Sequence, residues 1–237
     1  MKFSVISSDI NTSARTGKII TDNSSFETPV FMPIGTSGAI KTIDPAFLEE
    51  LKIGIILANT YHLYLRPGHE LIHQAKGLHK FMNWKKSILT DSGGYQVFSL
   101  SRLNKISDEG VEFQSHIDGS FHFISPEISI EIQRYLGSYI IMAFDECPPA
   151  NVDENVASKA VDRTSKWTRI SFDHIKTKDP LYSWNQTLFP IVQGGIFPHL
   201  RKQSAESLVE FSTCGMAIGG LAVGENKSSM FDTISLM

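Results

Sequence analysis

At 237 residues with 41% apolar side chains, the chain is long enough to bury one large core, and a single domain spanning 1–237 is the expectation. Its 22 basic and 25 acidic residues leave a formal charge of −3, which excludes a grip on nucleic acid by bulk electrostatics, so any RNA contact has to be local. Two cysteines, Cys147 and Cys214, stand far apart and in no CxxC arrangement, which excludes a disulfide framework and a cysteine zinc site.

The opening MKFSVISSDINTSARTG has no apolar core of signal-peptide length, and no run approaches the roughly 18 apolar residues of a membrane span. A soluble cytoplasmic protein with no membrane partner is expected. Short apolar runs then follow at Val30–Ile34, Ile53–Ala58, Ile88–Thr90, Tyr139–Phe144, Leu188–Val192 and Met216–Ile218. Most end in small or polar residues and lead into a helical stretch, which predicts buried parallel strands. Ser101–Phe123 breaks the rhythm, since Val111, Phe113 and His116 alternate and Asp118-Gly119 turns, as in an antiparallel hairpin inserted into a loop. Ser125-Pro126-Glu127 starts a helix in which Ile128, Ile132 and Leu136 repeat at every fourth residue, and Gly137 is placed to stop it. Asp153–His174 carries Val156, Ala160, Trp167 and Ile170 toward one face, and Leu200–Phe211 carries Leu208 and Phe211 in the same way. Strand and helix alternate, which favours an α/β fold with a parallel sheet, as a closed barrel of roughly 250 residues or as a doubly wound open sheet.

Ligands of such folds bind at the carboxyl ends of the parallel strands. Asp91-Ser92-Gly93-Gly94-Tyr95-Gln96, Asp145-Glu146-Cys147, Gln193-Gly194-Gly195 and Gly219-Gly220-Leu221-Ala222-Val223-Gly224-Glu225 each follow an apolar run. Two carboxylates, a carboxamide, an aromatic ring and three Gly-Gly pairs make a cage for a flat heterocycle that needs close backbone approach. Guanine matches that cage: its N1–H and N2–H suit a carboxylate, and its O6 needs an amide donor. Asp145, Gln193 and the Gly220 N–H supply that pattern, Tyr95 can stack on the ring, and Asp91 is left for proton transfer. Singly, these residues read as turn formers and caps; the combination carries the argument.

TDSGGYQVFSL at 90–100, MAFDECPP at 142–149, PIVQGG at 190–195 and AIGGLAVGE at 217–225 resemble, in order and with compatible spacing, the tRNA-guanine transglycosylases, also called queuine/guanine tRNA-ribosyltransferases. TPVFMPIGTSGAIKT at 28–42, NTYHLYLRPG at 59–68 and HIDGSFHFISPE at 116–127 extend the likeness over essentially the whole chain. The resemblance implies an irregular (β/α)8 barrel with an N-terminal antiparallel segment and a β insertion near 101–123. It implies a tRNA partner whose anticodon loop presents a flipped wobble guanine, exchanged for a deazaguanine through a covalent RNA intermediate. Carried over by position, Asp91 is the general acid/base and proton acceptor, Asp145 and Gln193 recognise the base, and Gly220 is the backbone donor. Ser92, Gly93, Gly94 and Tyr95 line the pocket, and Leu221, Ala222, Val223 and Glu225 meet the incoming base's side chain. Val223, where eukaryotic members carry glycine, and Cys147 imply the bacterial type, which prefers the small base preQ1 over queuine. A family-type homodimer is a further implication.

The family continues well beyond the position of Met237. Its aspartate nucleophile, last strands, basic tRNA-contacting segment and CxCxxC…H zinc site have no match here, so about six of the eight barrel strands are expected. Zinc is expected for the complete family enzyme, with no ligand in this chain, and the polypeptide alone is expected to be inactive and marginally stable. Three rivals compete. His69-Glu70-Leu71-Ile72-His73 fits the H-E-x-x-H zinc pattern but lies in the family's RPGxELI stretch with no third ligand downstream. Asp91 and Asp145 as the carboxylate pair of a sugar hydrolase leave the four-motif match unexplained. A non-catalytic base-binding or partner subunit would be expected to have lost Asp91, Asp145 and Gln193, which are intact.

Overall fold

The computed structural model describes residues 1–100, 103–212 and 214–237. Its first half runs β1 Lys2–Ser8, β2 Arg15–Ile20, β3 Ser25–Thr28, α1 Pro45–Glu50, β4 Ile55–Ala58, α2 Thr60–Leu65, α3 His69–Gln74, α4 Leu78–Phe81, β5 Ser87–Thr90 and α5 Gly94–Leu100. There follow β6 Asn104–Ile106, β7 Val111–Gln114, β8 Phe121–Ile124, α6 Pro126–Leu136, β9 Ile140–Met142, α7 Glu154–Lys176, β10 Thr187–Phe189 and β11 Ile191–Val192. The last elements are α8 Pro198–Leu208 with a 3-10 turn at Val209–Phe211, β12 Ala217–Ile218 and α9 Lys227–Leu236. The chain forms two compact units: Met1–Asp91 with Glu131–Ile141 and Asp179–Thr187, and Ser92–Ile130 with Met142–Lys178 and Leu188–Met237.

In the first unit, β1, β2 and β3 form an antiparallel sheet. Beside it in sequence, β4 and β5 pair in parallel from Ile55↔Ser87 to Ala58↔Thr90, and β5 continues in parallel to Ile140 and Ile141 of β9. The Thr187 N–H of β10 donates to the Tyr139 carbonyl at 2.8 Å, completing the strand order β10-β9-β5-β4. All four residues of β5 are buried, as a strand covered on both faces must be, and its sequence accordingly reads as a continuous run rather than an alternation. The mixed α/β class with a parallel sheet is thereby established.

Two expected strands differ from their apolar runs, both because of proline. Val30–Ile34 does not form a strand: Pro33 has no N–H to give a ladder, and the run is reduced to one parallel bridge between Ile34 and Leu57. Leu188–Val192 is split at Pro190 into β10 and β11, and β11 pairs in parallel with β12 through Ile191↔Ala217 and Val192↔Ile218.

In the second unit, β6, β7 and β8 form an antiparallel meander, one strand more than the expected hairpin; Ser101 and Arg102, where the reading began it, lie outside the described residues. Asp118 shapes the β7–β8 turn by accepting from the Ser120 N–H, and Gly119 takes a φ of 77° there. α7 begins where Asp153 caps it, accepting from the Val156 N–H at 2.9 Å. Its buried face is Ala157, Ala160, Val161, Thr164, Trp167, Thr168, Ser171 and Phe172, with Trp167 stacked on Phe144 at 4.9 Å between centroids. Val156 was expected on that face and is 39% exposed, because the stripe is centred one residue later, on Ala157 and Val161 against Leu200 of α8. Leu208 and Phe211 are buried as expected.

His79 of α4 is largely enclosed, its Nε2–H donating to the Lys86 carbonyl at 3.1 Å and its ring lying 4.6 Å from that of Tyr139. Burial lowers its pKa to about 4, against the pull of the carbonyls of Lys86 and Gly137. A histidine whose folded-state pKa is depressed contributes stability above its ordinary value of 6.5 and loses it as the pH falls toward 4. Urea midpoints should therefore drop between pH 6.5 and 4, and less steeply in His79→Gln; parallel curves would refute the assignment. At α7, Val156→Ala should shift stability by no more than about 0.5 kcal/mol, while Val161→Ala, fully buried, should cost about 2 kcal/mol by urea denaturation.

Candidate functional site

Ser92, Asp145, Gln193 and Gly220, each shortly after a strand, come together in one cluster of the second unit. Asp145, just past β9, is 5% exposed, and a carboxylate so placed has to be met by donors. Ser92 Oγ–H donates to one carboxylate oxygen at 2.6 Å and Gln193 Nε2–H to the other at 2.7 Å. Ser92 is held in turn, its Oγ accepting from the Gly94 N–H at 3.1 Å and its carbonyl accepting from Ser129 Oγ–H at 2.8 Å. A side chain at Gly94 would run into the Asp145 carbonyl, which is why this turn into α5 needs glycine. The neighbouring carboxylate turns the other way: Glu146 pairs with Arg163 of α7, and its N–H donates to Thr164 Oγ at 3.1 Å. Consecutive acids thus serve different ends, Asp145 the cluster and Glu146 the anchoring of α7.

Gln193 is 1% exposed, with its N–H donating to Ser204 Oγ of α8 at 3.0 Å. Its side-chain Oε1 is buried without a hydrogen-bond partner. Gly220, at a φ of 61°, approaches so closely that any β-carbon would collide with that oxygen. Cys147 is 7% exposed, and burial, then the Asp145 charge, push its thiol up to about 12. Beyond Gly220, Glu225 accepts from the N–H groups of Ala222 and Val223; burial works against its charge, but those bonds hold its pKa below the ordinary value. Leu221 and Val223 are half-buried and Ala222 is exposed. Tyr95, in the first turn of α5, is 47% exposed, and Gly93 turns the chain at a φ of 82°.

Asp91 belongs to the first unit, at the end of β5. Its carboxylate accepts from Asn59 Nδ2–H at 2.5 Å and from the Thr60 N–H at 2.7 Å, while Thr60 Oγ–H donates to its carbonyl. Asn59 and Thr60 open α2, so the segment that reads NTYH in sequence orients this acid.

The residue that sequence reading missed is Arg201. It sits on α8 with no exposed surface and donates to the carbonyls of Val192, Gly195, Gly219 and Gly220 at 3.0, 2.7, 2.6 and 3.1 Å. The available signal was its spacing with Leu200, Ser204 and Leu208 on one helix face, all of them buried. The H-E-x-x-H pair lies on α3, where His73 stacks on Tyr135 at 4.8 Å and its Nδ1 lies 3.0 Å from Tyr182 Oη. Among the described residues no three His, Cys, Asp or Glu side chains are grouped to hold a metal ion.

A profile for queuine tRNA-ribosyltransferases matches residues 9–237. The chain belongs to that family, a family of transferases. It is 52% identical over 234 residues to the queuine tRNA-ribosyltransferase of Halothermothrix orenii, covering 99% of this chain and 61% of that protein. It is 53% identical over 234 residues to that of Caldanaerobacter subterraneus subsp. tengcongensis, with the same coverage. It is 51% identical over 231 residues to one from Listeria monocytogenes, covering 97% of this chain and 59% of that protein. The chain spans about three-fifths of the length of these curated relatives.

The raised pKa of Cys147 has a measurable consequence. A thiol shifted from 9.0 to about 12 is neutral in the folded protein, so its contribution to stability is complete below pH 9 and is lost as the pH rises toward 12. With a disulfide reagent at pH 8 the half-buried Cys214 should react, and Cys147 only on unfolding, read by mass spectrometry of the labelled peptides. Equal labelling of both in the native protein would refute this placement.

Proposed function

We propose that this chain carries the base-recognition site of a tRNA-guanine transglycosylase, which replaces guanine at the anticodon wobble position with preQ1 through a covalent RNA intermediate. The observation that supports it best is the buried Asp145 carboxylate, which accepts from two neutral donors, Ser92 Oγ–H and Gln193 Nε2–H. Guanine offers its N1–H and N2–H to the Asp145 carboxylate, and Gln193 turns its Nε2–H from Asp145 to O6, joined there by the Gly220 N–H. The protein's own hydrogen bonds between Ser92, Asp145 and Gln193 thus rehearse those the base makes.

In this reading Asp91 transfers protons, held in orientation by Asn59 and Thr60, and Tyr95, exposed on α5, offers a stacking surface to the unpaired base or its neighbour. The nucleophile that attacks the ribose C1′ is a carboxylate outside this set of residues. Val223 and the neutral thiol of Cys147 leave room for an aminomethyl group in place of the bulkier queuine side chain, and Glu225 offers a negative charge near that amine. The parallel strands are those of a (β/α)8-type barrel, and the setting is cytoplasmic, where tRNA is found. Among the described residues no helix is long and apolar enough to cross a membrane.

The test is equilibrium binding of labelled guanine to the 237-residue chain. Asp145→Ala should weaken it about a hundredfold, since two hydrogen bonds to a charged group are lost, and the circular-dichroism spectrum should be unchanged. Unchanged affinity in that variant, or hydrolysis of an RNA-free glycoside by the chain, would overturn the reading.

A further inference from the structure

Arg201 is a buried cation whose ion-pair partner is missing among the described residues; all four of its hydrogen bonds go to main-chain carbonyls. Such a placement is unfavourable for a charge, and the arginine is retained at no exposure on a helix otherwise lined by Leu200, Ser204 and Leu208. What the arrangement accomplishes lies in which carbonyls are chosen. Val192 and Gly195 flank Gln193, and Gly219 and Gly220 form the turn after β12, so one guanidinium ties both glycine-rich strand ends to α8. The planar fork of an arginine can hold several carbonyls at once; a lysine ammonium has neither its reach nor its geometry.

The direction of the Gly220 N–H follows from this clamp. The Gly219–Gly220 peptide is trans, so its N–H points opposite to its C=O. With the Gly219 carbonyl drawn to Arg201 Nη1 at 2.6 Å, the Gly220 N–H is directed away from α8, on the side of the Cys147 thiol, whose pKa it helps to lower against burial. A turn containing two successive glycines has little conformational preference of its own, and Gly220 already sits at a positive φ. Its peptide can therefore rotate unless something outside the turn holds it.

We propose that Arg201 is the positioning residue that aims the Gly220 N–H at the base, and so sets the preference for a base carrying an acceptor at position 6. The inference rests on the base-recognition reading above and assigns Arg201 no contact with the base. It also accounts for why Glu225, whose charge reaches Arg201, is not hydrogen-bonded to it: an acid in contact would take the guanidinium hydrogen bonds that the Gly219 and Gly220 carbonyls now accept.

The experiment compares guanine with 6-thioguanine, which keeps both donors facing Asp145 and replaces O6 by a weak acceptor. Binding of each is measured to the 237-residue chain, to Arg201→Lys, to Arg201→Met and to Leu208→Ala, a buried substitution on the same helix that leaves the clamp intact. The unsubstituted chain and Leu208→Ala should prefer guanine by about ten- to a hundredfold, the factor two hydrogen bonds between neutral groups make, one from Gln193 and one from Gly220. Both Arg201 variants should lower that ratio about three- to tenfold, the share of the Gly220 N–H, and raise hydrogen exchange at residues 219–221, at equal or smaller loss of thermal stability than Leu208→Ala. Arg201 variants that weaken both bases equally and keep the ratio would overturn the positioning role while leaving base recognition standing. Absence of guanine binding by the unsubstituted chain would overturn both.

Discussion

A carboxylate taken out of water must be met by donors, and meeting that demand at Asp145 organises the second unit. The donors come from Ser92 after β5 and Gln193 after β11, so strand ends distant in sequence are drawn to one point by hydrogen bonds stronger than those between neutral groups. The requirement spreads outward. Ser92 needs the Gly94 N–H and Ser129 to hold its hydroxyl and carbonyl, Gln193 needs Ser204 to hold its main chain, and Gly94 needs to lack a side chain for Asp145 to sit where it does. The set is coupled, and coupled polar networks lose more than the sum of their parts when one member goes.

The same unit also burdens itself with a cation out of water. Arg201 is not set against Asp145, although opposite charges in one core would pair readily; it is turned to carbonyls instead. Burial holds its pKa down to about 10, yet leaves it protonated at neutral pH. Pairing Arg201 with Asp145 would take up the carboxylate oxygens that Ser92 and Gln193 now meet. Keeping the two apart, with glycine turns between, leaves the acid accepting neutral donors and the cation bracing the main chain. The nearby acids follow the same logic: Glu146 is matched to Arg163, and Glu225 to the N–H groups of its own turn.

Membership of the queuine tRNA-ribosyltransferase family agrees with this division. The edges of a flat group are met best by rigid donors and acceptors, and α8 with its arginine braces the main chain at Val192, Gly195, Gly219 and Gly220. Asp91, in the other unit, is oriented separately by Asn59 and Thr60, so the group assigned to proton transfer and the groups assigned to base reading are braced by different parts of the chain.

The parallel strands at Ile55–Ala58, Ser87–Thr90 and Ile140–Met142 were legible because strands buried on both faces must be apolar throughout, and polar residues can resume only at their ends. The candidates Asp91, Asp145, Gln193 and Gly220 were legible for the same reason: chemistry-bearing residues stand out directly after an apolar run. Helix α6 was legible because serine, proline and glycine mark its ends by local backbone geometry alone. Proline's missing N–H, also written in the sequence, removed one strand at Val30–Ile34 and divided another at Pro190, but whether a neighbour needed that N–H depended on pairing. The face of α7 was decided one residue away from the periodic reading, because Leu200 of α8 and the ring of Phe144 determine which stripe is covered. Arg201 carried only a weak signal in its spacing with Leu200, Ser204 and Leu208, since an arginine on an amphipathic helix is ordinarily solvated. Only the tertiary structure decides that its partners are four carbonyls from segments up to 19 residues away, and a side chain's partners are a property of the fold, not of its neighbours in the chain.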